Sequence, residues 1–179
     1  YEGVEVKGTG LVGLISYLRT DSTRISAEAQ EAAKQYITEN FGQDYNGSES
    51  RQEKRGKIQD AHEAIRPTYA QYEPKQLEDS LSRDQYRLYK LIWERFVASQ
   101  MAPANLERTT VEVSGGEYTF RSTATVIKFN GYLRAYNIQE EGAAQDEDDD
   151  TRDAAVLAAL KQNDSCNMLR SIPEQKFTE

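Results

Sequence analysis

The sequence predicts an α+β fold, with a mostly helical first half followed by an antiparallel β-rich second half and a boundary near residue 102. Three observations carry this. Apolar residues recur at helical spacing over 27–41 and again over 83–101. After Pro103 the apolar period changes to two. Two such runs, Arg108–Ser114 and Glu117–Ile127, flank Gly115-Gly116, which is a β-hairpin signal.

Residues 1–25 read as a lead-in with one short buried strand, its apolar material being Leu11, Val12, Leu14 and Ile15. Ser26 is the expected N-cap of a helix from Ala27 to about Phe41, with Glu28 favoured in its first turn. Ala29, Ala32, Ala33, Tyr36 and Ile37 make its apolar stripe, and Gly42 its stop. Residues 43–60 are polar and read as a mobile loop. Pro74 opens a short helix carrying Leu77 and Leu81. Ser82-Arg-Asp-Gln85 is a capping-box pattern that starts the longest helix, about 83–101. Tyr86, Tyr89, Ile92, Trp93, Phe96 and Val97 share one side of it, so the Trp93 and Phe96 stripe reads as core rather than a base-stacking platform. Beyond the hairpin, where Tyr118 and Phe120 read as one face of a sheet, a further strand is expected near Tyr132–Ile138. Residues 139–155 are acidic and read as disordered. Helical turns over Ala154–Gln162 and a last strand over Met168–Ile172 complete the expectation.

Composition narrows the function classes. The net charge of −8 argues against a general nucleic-acid surface, but it is uneven. Residues 1–101 hold 14 Lys and Arg against 16 Asp and Glu, whereas 102–179 hold 8 against 14. Any phosphate binding must therefore come from local pockets. The basic cluster Arg51, Lys54, Arg55 and Lys57 is diluted by Glu49 and Glu53 and reads as a solvated loop. Cys166 is the single cysteine, so an internal disulfide is excluded. No signal peptide or membrane-length apolar run is present, and a soluble cytoplasmic protein is expected.

The chemistry concentrates in two runs. Gly13-Leu-Ile-Ser-Tyr-Leu-Arg-Thr-Asp-Ser-Thr23 places Tyr17 two residues before Arg19. In an extended backbone the two side chains leave on the same face. A phenol nucleophile and a guanidinium fork, which fits phosphate oxygens, would then point at one phosphodiester. A phenol titrates near ~10, so it needs a base or a charged environment to attack phosphorus. The competing readings are a half-buried packing tyrosine for Tyr17 and, for Arg19, a surface ion pair with Asp21 worth little. Thr20 is a candidate hydrogen-bond donor to the same phosphodiester strand, and Asp21 a candidate to orient Arg19. Local turn capping by Asp21, Ser22 and Thr23 competes with both. The second run, Asp60-Ala-His-Glu-Ala-Ile-Arg-Pro-Thr68, holds His62, the only histidine. An imidazole titrates near neutrality and can donate as a cation. Arg66, four residues on, is a candidate phosphate contact, with a salt bridge to Asp60 or Glu63 as the rival reading.

These two runs, in this order, resemble the bacterial type IA DNA topoisomerases. The likeness extends to the opening Tyr1-Glu2-Gly3, the central helical stretch and the closing Pro173-Glu-Gln-Lys-Phe-Thr-Glu179, and is poor from about 140–150 to 165. Ser16 stands where that family often has Thr, and Leu18 where Met is common. The Asp148–Asn163 stretch blurs the family's pattern. The resemblance implies that Tyr17 cleaves single-stranded DNA and becomes bonded to the 5′ phosphate. It implies that Arg19 binds the scissile phosphate and that His62 assists. It also implies a central fragment of a longer enzyme: residues 1–101 a helical tyrosine-bearing domain, 102–179 part of a β-rich arch. No metal site is read in this chain, and the Asp146–Asp150 run lacks the spacing of a calcium loop. The family's Mg2+ is implied to lie in a separate TOPRIM domain, so this fragment alone is expected to be inactive. Expected partners are single-stranded DNA and the remaining domains of the same enzyme, with no membrane and a monomeric fragment. The rival function class is a non-enzymatic DNA- or protein-binding module.

Overall fold

The computed structural model describes residues 1–6, 8–47, 62–136, 154–173 and 175. The basic loop cluster at 51–57, and the acidic stretch as far as 153, lie outside these residues. The chain divides into two units, Tyr1–Asn105 with Lys128–Ala143, and Leu106–Ile127 with Ala144–Glu179. The fold is α+β, with helices and two small antiparallel sheets.

The first unit opens with a hairpin rather than a single buried strand. β1 (Val4–Val6) pairs antiparallel with β2 (Gly10–Val12), Val4 opposite Val12. Leu11 lies on the outer side of this ladder and is exposed, while Leu14 just beyond it is buried. α1 runs Ala27–Asn40, and the Ser26 hydroxyl accepts the Ala29 N–H, which satisfies one orphan donor of the first turn. Its buried stripe is Ala29, Ala33, Tyr36 and Ile37; Ala32 faces solvent, because the contact face is narrower than the apolar spacing suggested. A 3-10 turn at Gln43–Tyr45 follows. A second 3-10 segment, Pro74–Ser80, buries Leu77. α2 (Arg83–Gln100) begins with a complete capping box between Ser82 and Gln85.

The core forms where the stripe of α2 meets α1. Trp93 sits at its centre, fully buried, with Ile37, Leu77, Val97 and Met101. The buried aromatic polar groups all find partners, as burial requires. The indole of Trp93 donates to the Ala70 carbonyl at 2.8 Å, Tyr36 donates to Glu73 at 2.8 Å, and Tyr89 donates to the Tyr72 carbonyl at 2.6 Å. Burial, reinforced by Glu73, pushes ionisation of the Tyr36 phenol far above its ordinary range. Burial does the same for Tyr89, with Tyr72 adding to it.

The exit of α2 is held by close backbone packing. The Gly47 N–H donates to the Gln100 carbonyl and the Ala102 N–H to the Tyr45 carbonyl, at 2.9 and 2.8 Å. A side chain on Gly47 would meet the Gln100 carbonyl oxygen at 2.7 Å. Gly131, with φ +49°, leaves no more room: a Cβ there would sit 2.5 Å from the Pro103 carbonyl. The chain turns at this point, and of the strand expected near 132–138 the described residues form instead a short helix, α3 (Leu133–Tyr136), that buries Ala135; 137 and 138 lie outside the described residues. The turn at Gly131 and the bond from the Tyr132 N–H to the Ala102 carbonyl wind the backbone up instead of extending it.

The second unit contains most of the predicted hairpin. β3 (Asn105–Gly115) and β4 (Tyr118–Phe129) pair with each other, and the reversal falls at Gly116 and Glu117, one residue later than the Gly-Gly pair suggested. Gly116 has φ +64°, a conformation in which glycine is favoured. Cross-strand contacts between Thr110 and Thr123, and between Glu112 and Arg121, mark the register on the outer face. Thr109, Val111, Ala124 and Val126 line the more covered face; Tyr118 and Phe120 near the tip are exposed. Residues 154–159 are helical, as expected. The strand expected at Met168–Ile172 does not form: these residues lack regular structure, and Met168, Leu169 and Ile172 are exposed. Among the described residues β3 and β4 pair only with each other, so no strand is bonded to 168–172.

Replacing Trp93 with Ala should therefore destabilise the first unit by roughly 3–5 kcal/mol, measured by urea unfolding followed by circular dichroism. An unchanged midpoint would show that the core is centred elsewhere.

Candidate active site

The two chemistry-bearing runs are stitched together along their backbones, across about forty to fifty-five residues of chain. Thr68 N–H donates to the Leu14 carbonyl and Ser16 N–H to the Arg66 carbonyl, both at 2.9 Å. Ile15 and Pro67 form an isolated antiparallel bridge between them. Side chains extend the seam. The Ser16 hydroxyl donates to the Ala64 carbonyl and accepts the Arg66 N–H, each at 2.9 Å. Thr68 donates to the Gly13 carbonyl at 2.6 Å. Further along, Ala64 N–H donates to the Arg24 carbonyl at 2.8 Å. Glu63 accepts the Ser26 N–H at 2.6 Å, which fixes the run to the first turn of α1.

This seam delivers His62 to the loop that follows Tyr17. Arg19 Nη1 lies 2.6 Å from His62 Nε2, and Asp21 Oδ2 lies 3.3 Å from His62 Nδ1. The same Asp21 oxygen is 3.4 Å from Arg19 Nε. A guanidinium can only donate, so Nε2 accepts and the ring proton sits on Nδ1, facing Asp21. Asp21 thus orients both partners, as a carboxylate orients a working imidazole. Their side chains are about half exposed, so the ion pairs themselves add little stability, on the order of 0–1 kcal/mol. The arrangement positions charge more than it holds the fold.

Tyr17 is 62% exposed, its ring edge-on to Tyr1 with centroids 5.4 Å apart. The packing-tyrosine reading fails at this position. The local backbone differs from the extended stretch expected from spacing. The Arg19 N–H bonds back to the Tyr17 carbonyl at 2.9 Å, an i to i+2 turn centred on Leu18. The phenol and the Arg19–His62–Asp21 cluster are therefore joined by one tight turn rather than aligned along a strand. Among the described residues the Tyr17 hydroxyl has no hydrogen-bond partner, and Thr20 is exposed. A cavity of about 360 Å³ lies against Tyr1 and Leu18; Leu14, Leu81, Leu88 and Ile92 make it largely aliphatic, unlike a phosphate site.

Arg66 does not join the cluster. Its guanidinium bonds Glu63 at 3.0 Å and the Pro67 and Thr68 carbonyls at 3.0 and 3.3 Å. Its side chain is only 14% exposed, and Nε is buried without a partner. The ion-pair alternative is what the structure contains, with Glu63 as the partner. Sequence reasoning also missed the ties made by Ser16 and Thr68, and gave Ser22 only a local capping role. Ser22 is buried, donates to the His62 carbonyl at 2.9 Å and accepts the Arg24 N–H at 3.2 Å, so it combines local turn capping with a long-range tie. The available signal was a small hydroxyl placed among apolar or turn residues, where it must find a backbone partner. Among the described residues no group of three His, Cys, Asp or Glu side chains could hold a metal ion. Asp21 is a single carboxylate already engaged by two nitrogen partners, so the residues present do not fit a magnesium site.

The site thus holds a solvent-open tyrosine and, one tight turn further along the chain, an arginine–histidine–aspartate cluster. A family model described as DNA topoisomerase matches residues 1–179. Full-length topoisomerase I from Thermotoga maritima is a structural neighbour, with 42% sequence identity and a TM-score of 0.62. The match covers 76% of this chain and 21% of that one, so this chain spans about a fifth of its length. The chain belongs to the DNA topoisomerase family, in its bacterial type IA branch. No helix among the described residues is long and apolar enough to cross a membrane.

Glu63 offers a test of the seam. Burial raises its pKa, but bonds from Ser26 and the charge and hydrogen bond of Arg66 outweigh that and hold it below the ordinary 4.5. The folded state thus binds fewer protons than the unfolded one in this range. The resulting stability is fully present above about pH 4.5 and is lost as pH falls through the lower folded value. Glu63→Gln should flatten this acid-side loss in a melting-temperature series against pH. A slope identical to the parent protein's would exclude Glu63 as its source.

Proposed function

We propose that Tyr17 is the nucleophile of a single-strand DNA cleavage and resealing reaction that relaxes negative supercoils. The observation that carries this reading is the exposed phenol set one turn from the Arg19–His62–Asp21 cluster. The Tyr17 oxygen attacks phosphorus, a tyrosyl ester to the 5′ phosphate forms, and the bond to the 3′ oxygen breaks. The phenol gives up its proton as the ester forms, and the leaving oxygen takes one from an acid of the remaining domains to become a 3′-hydroxyl, so the proton count is unchanged. The ester keeps the energy of the broken bond, so the 3′-hydroxyl can reverse the step without ATP. Arg19 offsets the charge that grows on the phosphate oxygens. To do so its fork turns from His62 Nε2 onto the phosphate. Nε2 is then free to meet the strand, while Asp21 keeps the imidazole oriented. Thr20 is the candidate for a further hydrogen bond to DNA.

The rest of the reading follows the family. Residues 1–101 serve as the tyrosine-bearing domain and 102–179 as part of the arch whose movement opens a gate for the passing strand. Mg2+ belongs to a TOPRIM domain and supplies charge stabilisation there. The working protein acts on single-stranded DNA in the cytoplasm, together with the remaining domains of the same enzyme. The chain studied alone is monomeric.

Two experiments test this. In the full-length protein, Tyr17→Phe should abolish covalent DNA adducts on denaturing gels and leave unfolding and noncovalent DNA binding nearly unchanged. Adducts that persist would assign the chemistry to another residue. The 179-residue chain by itself should show no plasmid relaxation; turnover would refute the dependence on other domains.

A further inference from the structure

We propose that Arg24 is a second phosphate-binding residue of this site, taking the phosphate next to the scissile one in the same strand; this rests on the Tyr17 reading above. Arg24 is exposed, and its Nε donates to the His62 carbonyl at 3.2 Å. That one bond anchors the guanidinium. Among the described residues its two terminal nitrogens have neither a hydrogen-bond nor an ion-pair partner.

The neighbouring arginines differ. Arg19 is paired with Asp21, and Arg66 is enclosed by Glu63 and two carbonyls. Arg24 thus brings a positive charge, paired with no carboxylate among the described residues, to the residue that carries the site's imidazole. Its open fork suits two oxygens of one phosphate. Arg19 holds the side chain of His62 and Arg24 holds its main chain, so the two guanidiniums flank a single residue. A strand whose scissile phosphate lies on Arg19 runs on past His62, where its next phosphate meets Arg24. With two phosphates fixed, the strand has a direction as well as a position at Tyr17.

The anchor is not a structural necessity. Ser22 donates to the same His62 carbonyl at 2.9 Å, so that oxygen stays bonded when Arg24 is replaced. The test uses the full-length protein carrying Tyr17→Phe, so that binding is read without cleavage. Affinity for a labelled single-stranded oligonucleotide is measured across salt concentrations. Arg24→Gln removes the charge but keeps an amide donor, and Arg24→Lys keeps the charge. Arg24→Gln should bind about ten-fold more weakly at 0.1 M salt, the loss expected for one charge-assisted contact. Its plot of log affinity against log salt should be shallower by about 0.7, the value for one phosphate of a single strand. Arg24→Lys should keep the parent slope, and both variants should melt within about 2 °C of the parent. A parent slope in Arg24→Gln overturns the proposal. So does equal weakening in both variants together with a lowered melting temperature, which would mark a purely structural role. Failure of the Tyr17 reading is seen separately, as covalent adducts formed by the Tyr17→Phe protein.

Discussion

The seam between residues 13–26 and 62–68 is the constraint on which the rest of the site depends. Neither segment is a regular strand or helix, so neither is held by its own hydrogen-bond ladder. They are held by each other, through Leu14, Ser16, Arg24 and Ser26 on one side and Glu63, Ala64, Arg66 and Thr68 on the other. The hydroxyls of Ser16 and Thr68 stand in for missing ladder bonds, and Glu63 ties the seam to the first turn of α1. The core supports this from beneath. Leu14 is buried against it, and the Ala70 carbonyl, just past the second segment, is fixed by the Trp93 indole. A loop site thereby gains the rigidity of the helical unit under it.

The helices were legible in the sequence because their signals are local. Ser26 and the Ser82–Gln85 box cap the helices they were expected to cap, and the aromatic stripe of α2 is core. The hairpin after Pro103 was legible for the same reason, and only its turn shifted by one residue. What failed was decided at a distance. Residues 132–136, where a strand was expected to begin, wind into α3 instead, because Gly131 turns the chain against the end of α2. The Met168–Ile172 run has strand composition and no strand bonded to it among the described residues.

The site divides along the same line. Residue types singled out Tyr17, Arg19, Asp21 and His62 as candidates, and three of these four are gathered within hydrogen-bond or ion-pair distance. Spacing misjudged how Tyr17 joins them, since a two-residue interval can be spanned by a tight turn as well as by a strand. Arg66 shows the limit from the other side. An arginine near a histidine carries phosphate-binding chemistry in its composition, yet Glu63, the rival partner its spacing already offered, and two carbonyls claim its fork; only the carbonyls went unrecorded in the sequence.

Gly47 and Gly131 press against the same few peptide units where α2 ends, from two separate stretches of chain. Neither touches the reacting groups. A side chain at either place would wedge the backbone apart there and weaken a helix on which the segments 13–26 and 62–68 lean. Substitutions at these two glycines would thus be conditional, tolerated in the cold and unfolding the helical unit on warming, with the side chains of the loops untouched.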